Sequence, residues 1–151
     1  MREIVLKKFF EGEADSETLA SDLAGTIETS GTSSHYRIED MDGEFEITGK
    51  HLVSLCDAVI EGKLDPSQLE TIGFCLVASD AFHWDTDVGD GEIIAQTCFD
   101  WSEPRINFAL TLDNVKKFRE RLIIGKNVFV TLNNHGELVT KLGSLHRVAM
   151  V

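Results

Sequence analysis

Residues 83–92 combine the side-chain types that could bind a metal ion. If a strand continued through this segment, His83, Asp85 and Asp87 would point to one side, and an imidazole with two carboxylates could hold a divalent cation. The alternative is a hairpin tip, in which aspartate and glycine supply the turn geometry and Trp84 packs beneath them. Turn preference explains these residue types without a metal. We therefore expect no bound metal and no cofactor.

Local motifs for nucleophilic catalysis and for phosphate binding are missing from the sequence. Neither Gly-x-Ser-x-Gly nor a local Cys/His signature occurs, and neither of the familiar glycine-rich nucleotide loops is present. Cys56, Cys75 and Cys98 are expected to be reduced thiols in the core, because free cysteine buries like a small hydrophobic residue. A cysteine and a histidine could still meet in the fold. The histidines are His35, His51, His83, His135 and His146.

Charge is distributed unevenly along the chain. The 151 residues include 14 Lys/Arg and 26 Asp/Glu, which gives a net charge of −12. Residues 1–103 carry 6 basic and 23 acidic residues, a net of −17, whereas residues 104–151 carry 8 and 3, a net of +5. An acidic surface repels nucleic acid and anionic membranes and attracts basic proteins. We therefore expect a basic protein partner, and we interpret the cationic segment 116–121 as a solvated helix surface.

The elements that position these residues are indicated by cap residues and by hydrophobic spacing. Helices are expected where apolar residues recur three and four apart behind a capping residue. The predicted helices are one that begins at Asp15 or Ser16 and stops at Gly25, one that Thr48 caps and that runs to Glu61, a short turn from Asp65 to Gly73, and one that Thr111 caps and that runs to about Ile124.

Strands are expected where apolar residues alternate or form short runs between turn residues. The predicted strands are 3–10, a hairpin of 36–38 and 45–47 about Asp42-Gly43, a meander of 74–78, 92–101 and 105–110, a hairpin of 128–132 and 138–142, and a strand at 145–151. Residues 26–34 are predicted to be a loop. The sequence thus indicates a single α+β domain over residues 1–151, with a mainly antiparallel sheet and amphipathic helices packed on one face.

In size, charge and expected compartment the chain is similar to small acidic immunity proteins, which neutralise cationic nuclease toxins in the bacterial cytoplasm. That similarity lies in bulk properties, and it implies a non-enzymatic protein that holds or inhibits a basic partner such as a nuclease toxin. Residues 1–11 lack the apolar stretch of a signal peptide, so we expect a cytoplasmic protein. The alternatives are a small metal-dependent or Cys/His enzyme and an assembly subunit of a homo-oligomer, such as a homodimer.

The expected contact surface consists of carboxylates on or beside the predicted hairpin tips, where side chains reach solvent. Nearby aromatic residues could supply the desolvated contacts that charge alone does not provide. The predicted partner-binding residues are Tyr36, Asp40, Asp42, Glu44, Glu46, Trp84, Asp85, Asp87 and Asp90. No residue is assigned a catalytic role.

Overall fold

The structure of the chain is a computed structural model that describes residues 1–30, 33–87, 89–132 and 138–140. Helices account for most of the regular structure in these ranges. The described elements are α1 (Glu3–Phe10), α2 (Ser16–Leu23), β1 (Ile27–Ser30), β2 (Ser33–Tyr36), β3 (Phe45–Glu46), α3 (Gly49–Ile60), α4 (Gln68–Ala78), β4 (Phe82–His83), α5 (Gly91–Ser102), α6 (Leu112–Ile124), β5 (Val130–Leu132) and β6 (Leu138–Thr140).

The predicted α+β architecture, a mainly antiparallel sheet with helices on one face, is wrong. Throughout the described ranges the strands form only separate two-stranded ladders, β1–β2, β3–β4 and β5–β6. The most extensive packing is between α4 and α5 and between α3 and α6. The hydrophobic core therefore lies mainly between helices, because none of the sheets described in these ranges is wide enough to support them.

The predicted meander is wrong over its whole length. Residues 74–78 complete α4, residues 92–101 lie in α5, and residues 105–110 form a turn and an irregular connection to α6. The buried residues of α5 include Ile94, Cys98 and Trp101, which recur at the spacing of one helical face. Residues 92–101 satisfy both a strand period and a helix period, and packing against α4 and α6 favours the helix.

Gly73 was expected to end a short turn, but it lies inside α4. A Cβ at this position would lie 2.6 Å from the Cβ of Trp101 and 2.7 Å from the backbone nitrogen of Ser102. Glycine is therefore required by the close approach of α4 and α5, and it does not mark the end of a helix.

Residues 3–10 form α1, so the predicted strand is also wrong. The Glu3 side chain is buried, and its Oε1 accepts a hydrogen bond of 3.0 Å from the backbone N–H of Met41. Val5 and Leu6 are buried in the core beside it. A helix places these three residues on its inner side, whereas strand alternation would separate Val5 from Leu6.

The hairpin predicted about Asp42-Gly43 is replaced by two other pairings. β1 and β2 pair antiparallel within the segment expected to be mostly loop, whereas β3 pairs in parallel with β4, far along the chain. Gly43 has a φ of 86°, so it does occupy a turn conformation. The turn residue was recognised, but the strands beside it do not pair with each other.

Three helix predictions are confirmed at their capped ends. The Asp15 side chain accepts from the backbone N–H of Thr18, and α3 begins directly after Thr48. The Thr111 hydroxyl accepts from the backbone N–H of Asn114, and Gly125 ends α6 with a φ of 69°. β5 and β6 pair antiparallel within the two segments predicted for the last hairpin. Its turn at 133–136 and the strand predicted at 145–151 lie outside the described residues.

Candidate functional site

The parallel ladder of β3 and β4 joins the two acidic segments that the sequence singled out. The backbone N–H of Phe45 donates to the carbonyl of Ala81, and that of Ile47 donates to the carbonyl of His83, each over 2.8 Å. Glu46 lies opposite His83 in the register. Residues 45–47 are therefore held against residues 81–83.

All seven of the predicted carboxylates are exposed. The ladder is flanked by two groups of them, one before and within β3 and one in the loop that follows β4. The first group is Asp40, Asp42, Glu44 and Glu46, and the second is Asp85, Asp87 and Asp90. These seven residues are called the acidic surface below.

His83 lies next to Glu44 of the acidic surface. Its Nε2 is 3.9 Å from Oε2 of Glu44, and both side chains are at least half exposed. The arrangement is a weak, solvent-screened pair and provides no enclosed catalytic geometry.

The metal hypothesis for residues 83–87 assumed a strand that the structure ends at His83. Beyond it, Oδ1 of Asp85 accepts a 2.9 Å hydrogen bond from the backbone N–H of Asp87, which is turn geometry. A Cβ on Gly91 would overlap the carbonyl of Asp85, so glycine is required where this loop closes against α5. No group of three His, Cys, Asp or Glu residues suited to a metal ion occurs in the described ranges.

The two predicted aromatic contacts are in different places. Trp84 is half-buried and packs against the core beside the acidic surface. Tyr36 instead stacks on Phe74 of α4, with ring centroids 4.3 Å apart and planes at 17°. Burial, together with Glu70 and Glu103, raises the pKa of Tyr36. The ladder therefore positions Trp84, and it does not position Tyr36.

An aromatic cluster beside β3 and β4 includes a histidine that the sequence analysis did not assign. The ring of His51 lies 5.1 Å from both Phe10 and Phe45, measured between centroids. Its Nδ1 accepts a 3.0 Å hydrogen bond from the backbone N–H of Thr48 and so caps α3. Burial lowers the pKa of His51, and Glu11 opposes this shift. The spacing Thr48-x-x-His51 resembles a capping box and was the available signal.

The cysteines occupy the positions that the sequence predicted, buried and unpaired. Burial raises the pKa of Cys56 and of Cys98 to about 12, and it raises that of Cys75, whose thiol also faces Glu3. Since the thiolate is the reactive form, these groups are chemically inert at neutral pH. A cysteine nucleophile is not supported.

Two arginine contacts of α6 were missed by the sequence analysis. Nη2 of Arg121 donates to Oδ2 of Asp100 over 2.8 Å and to the hydroxyl of Thr97 over 2.9 Å, inside the core. Arg119 pairs with Asp57 of α3 through a 2.5 Å hydrogen bond nearer the surface. Arg121 follows Phe118 by three residues, and that spacing was the signal for an inward position.

A surface groove of about 430 Å³ adjoins the acidic surface. It lies between α3 and α6 and shares Asp90 with the acidic surface. The carboxylate of Asp90 sits against Gly49 at the start of α3, where negative charge is favoured by the helix dipole. The other lining residues are Lys50, Val53, Ser54, Asp57, Leu122 and Ile123.

Comparisons with models of known families, with characterised proteins and with solved structures found no match to this chain. Among the described helices, none has the length and apolar character needed to cross a bilayer.

Proposed function

We propose that this chain is a non-enzymatic acidic binding protein that holds or inhibits a basic protein partner, for example a cationic nuclease toxin. In this proposal the protein acts in the cytoplasm, and the acidic surface is the contact. The proposal includes neither nucleic acid nor anionic membranes as partners, because like charges repel.

The observation that carries the proposal is that seven exposed carboxylates lie in the two segments that one short ladder joins. The two groups are distant in sequence, and the parallel β3–β4 pairing places one group at each end of the same ladder, with Glu46 opposite His83. A field from clustered charges of one sign accelerates the encounter with an oppositely charged protein and disfavours wrong partners. Trp84, half-buried beside the surface, supplies an apolar contact of the type that dominates binding energy.

The proposal can be tested by capture from native lysate at low salt, followed by kinetics on the retained protein. The site variant carries Asp85→Asn, Asp87→Asn and Glu44→Gln, and the control variant carries Glu11→Gln, Glu13→Gln and Glu17→Gln. Both sets remove three exposed charges. We expect the wild type and the control to retain a basic protein, and the site variant to associate with it at least tenfold more slowly, because exposed charges act mainly on the association rate.

Salt dependence provides the second readout. The association rate of the wild type should fall steeply between 0.01 M and 0.15 M salt, because the Debye length shrinks from about 30 Å to about 8 Å. A retained partner that is acidic, or that binds the site variant and the control equally fast, would show the proposal to be wrong.

A further inference from the structure

We infer that the Asp42-Gly43 pair is a site of spontaneous covalent modification, at which the aspartate rearranges to isoaspartate in the folded protein. The inference is independent of the proposed function, because it concerns the chemistry of this loop and requires no partner. The chain contains two Asp-Gly pairs, Asp42-Gly43 and Asp90-Gly91. The structure places them in different surroundings, and that difference selects the first pair.

The reaction is an intramolecular condensation followed by hydrolysis. The backbone nitrogen of the glycine attacks Cγ of the protonated aspartate side chain, a C–N bond forms, and the carboxyl hydroxyl leaves as water with the amide proton. Water then opens the resulting cyclic succinimide. When it attacks the former backbone carbonyl carbon, the bond from that carbon to nitrogen breaks and the main chain continues through Cγ, which is isoaspartate. No oxidant or reductant takes part.

The condensation requires the carboxyl carbon and the backbone nitrogen to come together in a reactive geometry. Glycine favours this approach, because it carries no side chain that blocks the nitrogen and its backbone is conformationally free. Two conditions therefore decide whether an Asp-Gly pair reacts in a folded protein. The carboxylate must be able to turn towards the nitrogen, and the backbone of the pair must be able to move.

Both conditions are met at Asp42-Gly43. Asp42, Gly43 and Glu44 are exposed. Gly43 has a φ of 86°, and apart from its chain neighbours no atom lies within 4 Å of the position that a Cβ would occupy. Among the hydrogen bonds of the described ranges, none holds the carboxylate of Asp42 or the backbone N–H of Gly43.

The anchors of this loop lie outside the reacting pair. On one side, the backbone N–H of Met41 donates to Oε1 of Glu3 over 3.0 Å. On the other side, the backbone N–H of Phe45 donates to the carbonyl of Ala81 over 2.8 Å. The reaction therefore requires movement of the exposed residues between these anchors, and the helices can stay folded while it occurs.

The Asp90-Gly91 pair meets neither condition. Gly91 is buried at the start of α5, and a Cβ there would overlap the carbonyl oxygen of Asp85. The backbone carbonyl of Asp90 accepts a 3.0 Å hydrogen bond from the N–H of Ile94. Oδ2 of Asp90 lies 2.9 Å from the position that a Cβ of Gly49 would occupy, so the carboxylate is directed towards α3. The first turn of α5 must open before this pair can react.

The modification changes the acidic surface without changing its net charge. Isoaspartate keeps one carboxylate, which is attached directly to Cα, and it adds a methylene to the main chain just ahead of β3. The other aspartates of the acidic surface that lie outside the second pair precede residues with side chains, which hinder the attack. They are Asp40, Asp85 and Asp87. Asp42 is thus the carboxylate of this surface that the chain's own chemistry displaces first.

The test is incubation of the full chain at neutral pH and physiological temperature for several weeks, in native buffer and in guanidinium chloride. Peptide mapping with electron-transfer fragmentation locates isoaspartate, which has the same mass as aspartate. In native buffer we expect it to accumulate at Asp42 at least about tenfold faster than at Asp90, a ratio that needs only a small difference in activation free energy. In guanidinium chloride the two rates should become similar, because unfolding releases Asp90.

Asp42→Glu and Asp90→Glu are the matched variants. Glutamate keeps the charge, but the same attack would form a larger ring that closes less readily. We expect Asp42→Glu to remove nearly all of the isoaspartate that forms at the two pairs in native buffer, and Asp90→Glu to leave it unchanged. Circular dichroism verifies that both variants are folded.

Three results would overturn the inference. The first is the absence of isoaspartate at Asp42 in native buffer over a period in which the unfolded chain forms it, because the loop would then hold the pair in an unreactive geometry. The second is a native rate at Asp90 that equals or exceeds the rate at Asp42. The third is a preference for Asp42 that persists undiminished in guanidinium chloride, because it would then arise from neighbouring sequence and not from the fold.

Discussion

Two arginines on α6, two residues apart, meet aspartates in opposite surroundings. The Arg121–Asp100 pair is inside the core, with side chains 1% and 6% exposed, whereas the Arg119–Asp57 pair beside the groove is 39% and 41% exposed. The guanidinium of Arg121 also lies over the rings of Phe118 and Phe129, at 5.3 Å and 5.2 Å from their centroids.

The comparison teaches that proximity of opposite charges does not set the strength of an ion pair. Water screens the pair at the groove, so its contribution to stability is small. The buried pair has lost its hydration, and each partner depends on the other. Nε of Arg121 is buried and has no hydrogen-bond partner among the described contacts. The folded state therefore already bears part of the free-energy cost of removing this side chain from water.

The largest effect is expected from breaking the buried pair. Asp100→Asn leaves the guanidinium of Arg121 charged and uncompensated, and we expect the free energy of unfolding to fall by about 3 kcal/mol or more. The matched change at the groove, Asp57→Asn, should cost about 1 kcal/mol or less. Urea denaturation of both variants measures the difference. Equal losses of unfolding free energy in the two variants would mean that burial does not make one ion pair more important for stability than the other.

Gly73→Ala sharpens the comparison by testing how closely the helices of the interior pack. Alanine normally favours a helix over glycine by about 1 kcal/mol. Here its Cβ would lie 2.6 Å from that of Trp101, so we expect a net loss of about 1–3 kcal/mol from overpacking. Thermal unfolding provides the measurement, and a stabilised variant would contradict the observed separation of α4 and α5.

A smaller, pH-dependent effect is expected at His51. Burial lowers its pKa below the usual 6.5, so below about pH 6.5 the unfolded chain binds a proton that the folded chain does not. The free energy of unfolding should therefore decrease as the pH falls through this range. Protonation of Nδ1 also removes the acceptor for the N–H of Thr48.

His51→Gln is the control for this prediction, because glutamine can cap the helix in the same position without titrating. Urea denaturation at pH 7.5 and 5.5 should show a larger loss for the wild type than for the variant. If the wild type and the variant lost the same free energy of unfolding between the two pH values, the pH dependence would arise from other titratable groups.

The smallest effect on stability is expected at the acidic surface. Asp85→Asn combined with Asp87→Asn should change the free energy of unfolding by about 0.5 kcal/mol or less, since both residues are exposed and asparagine keeps the turn acceptor at Asp85. Urea denaturation checks this. A large loss would mean that these carboxylates support the fold, which would weaken the case for a binding surface.

Short sequence patterns predicted the helix ends, because these depend on interactions between neighbouring residues. Asp15, Thr48 and Thr111 mark helix starts because their side chains or backbones satisfy groups at the first turn, and Gly125 marks an end because it adopts a left-handed conformation. These interactions span only a few residues, so they can be inferred from short patterns.

Contacts between residues far apart in the sequence determined the features that the sequence analysis did not predict. Residues 92–101 satisfy two periods, and the contact of Gly73 with Trp101, made between separate helices, is part of what favours the helical one. The pairing of β3 with β4 joins segments separated by two helices, α3 and α4. Exposure of the predicted carboxylates followed from residue type, but the position of their two segments beside one ladder required that pairing. Tyr36 lies away from the ladder because it stacks on Phe74, a residue that the sequence analysis assigned to a strand.

The ladder that organises the acidic surface is only two residue pairs long. Opening it requires few hydrogen bonds to break and leaves the helices intact, so it should open far more often than the molecule unfolds. The amide protons of Phe45 and Ile47, which donate across it, should therefore exchange with solvent together and faster than those in the middle of α5. A ligand that bridges both groups of carboxylates would hold the ladder closed and slow the exchange of these two amides.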